Sequence, residues 1–262
     1  MAVYHRSSKV TLRAHPSSFS LLVPYEFLMS ETGSGVPLES PVEAVLFDVD
    51  DTLCTYERTT ADLLQVAFER TGVEPFFSAA EYEARYGKFV DESETIRDLR
   101  ELCFTDLASE KGRDPDLGRA VAQAYTRARD HTNVRWLDGS SEVLERLEEN
   151  VRLAAVTNGS PEMQSQKLDA LGIDCFETVV HGGYDAPAKP DPEPFESALD
   201  VVGTTPEHAV YVGNSLTSDV AGAHNAGLRA AWIADGETTD PQPMPEYILD
   251  SPRELLELPW LR

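Results

Sequence analysis

Residues 44 to 53 of the chain read AVLFDVDDTL, in which four apolar residues are followed by a group of acidic ones. The apolar run 44–47 is continuous instead of alternating, as is typical of a strand that is covered on both faces of a parallel sheet. Asp48 and Asp50 are two residues apart, and in an extended segment this spacing places both side chains on the same side. The segment therefore predicts a buried strand that leads into a pair of carboxylates.

Further apolar runs follow along the chain, and patterns with helical spacing lie between them. Asp191 and Pro192 predict the N-cap and first residue of a helix, and Gly203 predicts its end. Ser160 and Gly172 bound another helix in the same way. Alternating strands and helices indicate βα units and a doubly wound parallel sheet, so the predicted fold class is α/β. The predicted strands are residues 44–47, 153–156, 178–180, 209–212, 229–233 and 247–249.

A long block between the first two predicted strands shows helical periodicity throughout. A βαβ crossover needs far fewer residues than this block, so we interpret it as a helical domain inserted into the α/β domain. Its predicted helices are residues 60–70, 81–86, 94–108 and 116–130. The predicted organisation is a leader at 1–40, an α/β core at 41–56 and 134–262, and the helical insertion at 57–133.

The composition is that of a globular protein with a strong excess of acidic residues. The 262 residues include 22 Lys and Arg against 46 Asp and Glu, for a formal net charge of -24. Nucleic acids and anionic membranes present the same sign of charge, so neither is expected as a partner. Only five of the basic residues are lysines. An acidic, lysine-poor surface is what a protein in a very salty cytoplasm would carry, and we predict such halophilic adaptation.

The N-terminal end differs from the rest of the chain. Residues 1–28 carry three basic residues against one acidic residue, a net charge of +2. A proline and a glutamate break their apolar run, which is unlike a signal peptide, and no run elsewhere approaches the ~20 apolar residues of a membrane span. We predict a disordered or non-native leader at 1–40, with Met29 as the biological start. The three cysteines form no CxxC pair, which fits a cytoplasmic protein.

Polar residues follow the predicted strands where each strand ends. In open α/β sheets ligands bind beyond the carboxyl ends of the strands, so these side chains are candidates for one site. Carboxylates as close as Asp48 and Asp50 require a divalent cation or sharply separated pKa values, and Asp219 as a third carboxylate favours the metal. Ligation by oxygen alone indicates Mg²⁺, which pairs with phosphate. The candidate residues are Asp48, Asp50, Thr157, Asn158, Lys189, Asn214 and Asp219.

These residue types fit one chemistry. A carboxylate nucleophile, a neighbouring acid–base group and an anion held by Mg²⁺ are what phosphoryl transfer through an aspartyl-phosphate requires. Lys189 would neutralise a phosphate oxygen, and Thr157 with the amides of Asn158 and Gly159 would donate hydrogen bonds to the same anion. The predicted substrate is a small phosphorylated metabolite. The sequence leaves the oligomeric state open.

The chain resembles the haloacid dehalogenase (HAD) superfamily of hydrolases in four motifs that occur in the family's order. The likeness extends over roughly residues 43–252 and implies a HAD-like Rossmannoid core. The helical insertion is similar to the cap of the superfamily's small-molecule hydrolases, which closes over the site and selects the substrate. The motifs are residues 47–53 (FDVDDTL), 156–159 (VTNG), 189–192 (KPDP) and 212–219 (VGNSLTSD).

The resemblance implies a role for each matching residue. Asp48 would be the nucleophile and a Mg²⁺ ligand. Asp50 would protonate the leaving group and then activate water, and its backbone carbonyl would also contact the metal. Thr157 and Lys189 would hold the phosphoryl group. Asp219 would bind or orient the Mg²⁺ shell.

Two positions distinguish this chain from other members of the superfamily. The family usually has an aspartate where this chain has Asn214, whose amide oxygen can ligate Mg²⁺ without supplying charge, so we expect weaker metal binding or a supporting role. The metal-independent dehalogenases lack the second aspartate of the first motif, so Asp50 favours a phosphatase. The alternatives that stay open are a metal-independent 2-haloacid dehalogenase, a phosphosugar mutase and a non-catalytic binding protein on the same fold.

Overall fold

The computed structural model describes residues 41–89, 92–93, 95–234, 236, 240–258 and 260. The predicted leader at 1–40 and the predicted start at Met29 lie outside the described residues. The described chain divides into two compact units, a smaller one formed by Tyr56–Val134 and a larger one formed by the residues on either side of it. In the part that the structure describes, no helix is both long and apolar enough to cross a bilayer.

A parallel sheet of six strands forms the centre of the larger unit. The described residues contain two further strands besides these six. In chain order all of them are β1 (Ala44–Phe47), β2 (Cys54–Tyr56), β3 (Val134–Trp136), β4 (Arg152–Thr157), β5 (Val179–His181), β6 (Ala209–Gly213), β7 (Arg229–Ile233) and β8 (Tyr247–Leu249). The order in the sheet is β5-β4-β1-β6-β7-β8, while β2 and β3 form a separate two-stranded sheet. Phe47 of β1 pairs with Ala155 of β4 on one side and with Val212 of β6 on the other. The carboxyl ends of these three strands therefore lie side by side.

The predicted α/β fold class and the parallel sheet are confirmed. The strands at 44–47, 229–233 and 247–249 have the predicted bounds. The bounds of β6 differ by one residue at one end, and those of β4 and β5 differ by one residue at each end. The strands β2 and β3 are not predicted from the sequence, because a polar residue interrupts each of them and they contain no continuous apolar run.

Apolar clusters and helices cover both faces of the sheet. The helices are α1 (Thr60–Thr71), α2 (Ala79–Phe89), α3 (Ile96–Glu110), α4 (Pro115–Ala128), α5 (Ser140–Leu147), α6 (Pro161–Leu171), α7 (Glu193–Val202) and α8 (Ala221–Asn225). Leu46 of β1 lies in a cluster with Phe195 of α7, whereas its neighbours Val45 and Phe47 lie in a second cluster with Leu147 of α5. Successive side chains of β1 thus pack on opposite faces, which explains its continuous apolar run.

Two helices of the larger unit end at the predicted glycines. Gly172 after α6 and Gly203 after α7 have φ values of 70° and 66°, a left-handed conformation that glycine adopts without strain. α7 begins at Glu193, one residue after the predicted start. Asp191 still caps this helix, because its Oδ1 accepts a hydrogen bond of 3.0 Å from the backbone N–H of Glu193.

The smaller unit consists of α1 to α4. Its four helices occur where they are predicted, with ends that differ by up to three residues; the predicted first residue of the third, Glu94, lies outside the described residues. Phe77, Tyr82, Phe104 and Tyr125 belong to one apolar cluster, with ring centroids 4.8 Å apart for Phe77 and Phe104. These aromatic contacts give the unit a core of its own.

Candidate active site

Lys189 lies at the centre of a group of polar side chains at the carboxyl edge of the sheet. Its Nζ is 2.8 Å from Oδ1 of Asp48 and 2.7 Å from Oδ1 of Asp219. It also donates to the carbonyl oxygen of Val156 at 2.8 Å and to the hydroxyl oxygen of Tyr211 at 2.7 Å. Burial alone would lower the pKa of Lys189, but the two carboxylates outweigh it and raise the pKa. The ammonium group is therefore charged.

Asp48 directly follows β1 and is nearly buried. Its backbone N–H donates to the carbonyl of Val212, which continues the pairing of β1 with β6. Its Oδ2 is 3.3 Å from Oγ1 of Thr52. Burial raises the pKa of Asp48; Lys189 opposes this effect, and Asp219 adds to it. A cation bound beside Asp48 would consequently favour its carboxylate form.

Asp219 has both carboxylate oxygens engaged. Oδ1 accepts a hydrogen bond from Lys189, and Oδ2 accepts one of 2.9 Å from the backbone N–H of Ser215. A Cβ atom on Gly213 would lie 2.5 Å from Cγ of Asp219, so this close approach requires a glycine at the end of β6. The backbone thus fixes Asp219 against the lysine, and its predicted part in the metal shell stays a prediction.

Thr157 ends β4, and Asn158 follows it. Oγ1 of Thr157 accepts hydrogen bonds from the N–H of Gly159 at 3.1 Å and from Nε2 of Gln164 at 3.0 Å. No acceptor for its hydroxyl hydrogen occurs among the described residues, so the hydrogen can be donated to a ligand. Asn158 holds the backbone of Lys189 on both sides: Oδ1 accepts from its N–H at 2.8 Å, and Nδ2 donates to its carbonyl at 3.1 Å.

Asp50 lies beside this group, and two side chains of α6 hold its carboxylate. Oδ1 is 2.5 Å from Nζ of Lys167, and Oδ2 is 2.7 Å from Nε2 of Gln164. Neither partner is among the site residues predicted from the sequence. A signal for them exists, because Gln164 and Lys167 are three residues apart in a helix that starts just after Thr157, and this spacing places them on one face.

Thr52 connects Asp48 with Asn214. Its Oγ1 is 3.3 Å from Oδ2 of Asp48 and 3.4 Å from Oδ1 of Asn214. The backbone carbonyl of Asn214 accepts a hydrogen bond of 2.8 Å from Nε1 of Trp232. The predicted site residues thus form two hydrogen-bonded groups. Lys189 is joined to Asp48, Asn158 and Asp219, and Thr52 joins Asp48 to Asn214. In the second group, Gln164 joins Asp50 to Thr157.

Comparisons with known proteins identify the family of this chain. A family model described as haloacid dehalogenase-like hydrolase matches residues 42–227. The chain belongs to this hydrolase family. The phosphoserine phosphatase of Thermus thermophilus is 29% identical, over 82% of this chain and 98% of that protein. The glyceraldehyde 3-phosphate phosphatase of Methanopyrus kandleri is 32% identical, over 83% and 97%. The magnesium-bound crystal structure of the HAD-hydrolase YfnB from Bacillus subtilis is 26% identical, with a TM-score of 0.68, and the match covers 83% of this chain and 98% of that one.

The donor atoms in this haloacid dehalogenase-like hydrolase are suited to Mg²⁺. Asp48 and Asn214 both direct a side-chain oxygen at the hydroxyl of Thr52, and Mg²⁺ prefers oxygen ligands. Within the described residues, no three His, Cys, Asp or Glu side chains are arranged to hold a metal ion. Lysine and amide groups engage both carboxylate oxygens of Asp50 and of Asp219, whereas Asp48 pairs with Lys189 through Oδ1 and faces Thr52 with Oδ2. A site for Mg²⁺ here would thus combine one carboxylate with amide, backbone carbonyl, water and substrate oxygens, a set that this ion accepts.

Proposed function

We propose that this haloacid dehalogenase-like hydrolase is a Mg²⁺-dependent phosphatase that acts on a small phosphorylated metabolite through an aspartyl-phosphate. The observation that carries the proposal is the contrast between two carboxylates: the side chain of Asp48 is buried against Lys189, whereas that of Asp50 is 39% exposed. A nucleophile and a proton-transfer group need such different surroundings. The phosphatase names of the two relatives support the same class of reaction.

In the proposed reaction a carboxylate oxygen of Asp48 attacks the phosphorus atom, and the bond from phosphorus to the leaving oxygen breaks. Asp50 enters this step protonated, gives its proton to the leaving oxygen and becomes a carboxylate. Asp50 then takes a proton from a water molecule that attacks the phosphorus of the acyl phosphate, so that phosphate leaves and the carboxylate of Asp48 is restored. Lys189 and Thr157 hold the phosphoryl oxygens. Mg²⁺, held by Asp48, Asn214 and the backbone carbonyl of Asp50, would neutralise charge on the phosphoryl group.

Asn158 and Asp219 would act by placing these groups. The two hydrogen bonds from Asn158 to the backbone of Lys189 fix the loop from which the lysine extends. Asp219 holds the ammonium from one side at 2.7 Å, while Asp48 holds it from another, so the charge stays beside the nucleophile. We infer that Asp219 orients Lys189 and the waters of the metal shell.

The rest of the chain would adapt this chemistry to its substrate and surroundings. We infer that the helical residues 57–133 act as a cap that selects the phosphorylated metabolite. The net charge of -24 supports a cytoplasmic, halophilic protein that binds neither nucleic acid nor membrane.

Three alternatives make different predictions. A 2-haloacid dehalogenase would release halide without a metal and would give Asp50 no proton to transfer, although two side chains hold this carboxylate in place. A phosphosugar mutase would interconvert isomers without net release of phosphate. A non-catalytic binding protein would show no turnover at all.

Substitution of the nucleophile tests the proposed function. Asp48→Asn should abolish phosphate release from p-nitrophenyl phosphate and from a panel of phosphorylated metabolites in the presence of Mg²⁺, since the amide cannot attack phosphorus. Circular dichroism should show that the variant is folded. Lys111→Met is a suitable control, because Lys111 pairs with Glu81 in the smaller unit and should leave turnover unchanged. Turnover retained by Asp48→Asn, or halide release without metal by the wild type, would contradict the proposal.

A further inference from the structure

Lys167 is buried in a way that is uncommon for a lysine. Its side chain is 1% exposed, and its Nζ lies 2.5 Å from Oδ1 of Asp50, whose side chain is 39% exposed. A buried ammonium is costly unless an opposite charge compensates it. Lys167 of α6 therefore places its positive charge at the buried side of the Asp50 carboxylate, and the other side of that carboxylate stays exposed.

Gln164 holds the second oxygen of the same carboxylate. Its Nε2 donates to Oδ2 of Asp50 at 2.7 Å and to Oγ1 of Thr157 at 3.0 Å, so one amide group joins Asp50 to Thr157. The buried Oε1 of Gln164 has no hydrogen-bond partner among the described residues. If the amide of Gln164 were rotated by half a turn, Oε1 would face the carboxylate of Asp50, and two acceptors would repel each other. The hydrogen bonds that Nε2 donates therefore fix the orientation of this amide.

The backbone leaves room for this contact. A Cβ atom on Gly159 would lie 2.1 Å from Nε2 of Gln164, so any other residue at this position would displace the amide. Gly159 also donates its N–H to Oγ1 of Thr157 at 3.1 Å. The turn after β4 and the first turns of α6 are thus built around the position of Gln164.

We propose that Lys167 and Gln164 are positioning residues that hold the carboxyl of Asp50 in the orientation from which it gives its proton to the leaving oxygen. This inference rests on the proposed phosphatase function. With both oxygens of Asp50 held from the interior, the carboxyl cannot rotate freely, and Gln164 fixes its distance from the hydroxyl of Thr157 that contacts the phosphoryl group. Misplacement of a proton-transfer group by a fraction of an ångström slows the step in which it takes part.

The test compares two substrates with different leaving groups. The leaving alkoxide of an alkyl phosphate needs a proton, whereas p-nitrophenolate leaves without one, and kcat/KM reports the steps up to this departure. For Lys167→Met and for Gln164→Leu, kcat/KM for the alkyl phosphate should fall about 10- to 100-fold. The value for p-nitrophenyl phosphate should fall much less. Ser165→Ala is the matched control, because Ser165 is an exposed residue of the same helix, and it should change neither value.

A purely structural role would lower both values of kcat/KM by the same factor, and that result, like unchanged values in both variants, would overturn the inference. Thermal unfolding identifies any variant that is not folded; Gln164→Leu removes no charge and carries the test if Lys167→Met fails to fold. Absence of turnover of either substrate by the wild type would instead refute the proposed function. The two failures are therefore distinguishable.

Discussion

Lys189→Met would remove the ammonium group that lies between Asp48 and Asp219. Lys189 is 5% exposed, and its Nζ is 2.8 Å and 2.7 Å from the two carboxylates. Removal of one partner from a buried ion pair lowers the free energy of unfolding by about 3–5 kcal/mol, because the remaining charge stays buried without compensation. Here two carboxylates lose their partner at once, so we expect a loss in the upper part of that range.

Urea unfolding measures this loss. A chelator is present, so that no metal ion binds to the two carboxylates and compensates their charge in place of the lysine. Lys111→Met is the comparison: Lys111 is 35% exposed and pairs with Glu81, and the loss of a pair that water screens should lower the free energy of unfolding far less. In Lys189→Met, burial would raise the pKa of Asp48 further, because the lysine that opposes this effect is absent. Since the protonated form of Asp48 is neutral, the deficit should shrink as the pH falls through this raised pKa.

A second substitution should recover part of the stability. Asp48→Asn in the Lys189→Met background removes one of the two uncompensated carboxylates, so the double variant should be more stable than Lys189→Met alone. A loss in Lys189→Met no larger than that in Lys111→Met, with no recovery in the double variant, would refute the reasoning that the lysine compensates two buried charges.

Three other predictions concern Asn214, the acidic composition of the chain and Cys54. Asn214→Asp adds a charged oxygen ligand and should lower the Mg²⁺ concentration for half-maximal activity at least about tenfold, whereas an unchanged requirement would argue against ligation at this position. The free energy of unfolding should rise from low to multimolar KCl, and equal stability in both would contradict halophilic adaptation. Cys54 is buried, and burial raises the pKa of its thiol to about 12, so it should react with a disulfide reagent only after unfolding; a fast reaction in the native protein would contradict this burial.

Much of the sheet follows from local sequence. β1 can be predicted because a strand packed on both faces needs the continuous apolar run at 44–47, and the polar residues after β1, β4 and β6 meet because parallel neighbours end at one edge. The strands β2 and β3 show no such pattern, since Thr55 and Arg135 interrupt their apolar residues.

The site is only partly visible in the sequence. Asp48, Lys189 and Asp219 follow strands or lie in a recognisable motif, but no local pattern shows that Asn158 holds the backbone of Lys189. The spacing of Lys167 to Gln164 is visible in the sequence. The contact of Lys167 with Asp50 is not, because it joins residues 117 positions apart and depends on α6, whose Leu168 packs in one apolar cluster with Val49. Contacts of this kind are set by tertiary structure.

The covalent intermediate is the most direct test of the account. The protein is mixed with a phosphomonoester labelled in its phosphoryl group, the reaction is stopped with acid during turnover, and the labelled peptide is identified by mass spectrometry. We predict that the phosphoryl label is found on the peptide that carries Asp48, at the side chain of Asp48, and that it is absent in Asp48→Asn. Turnover without a labelled peptide, or a label on another residue, would contradict the account.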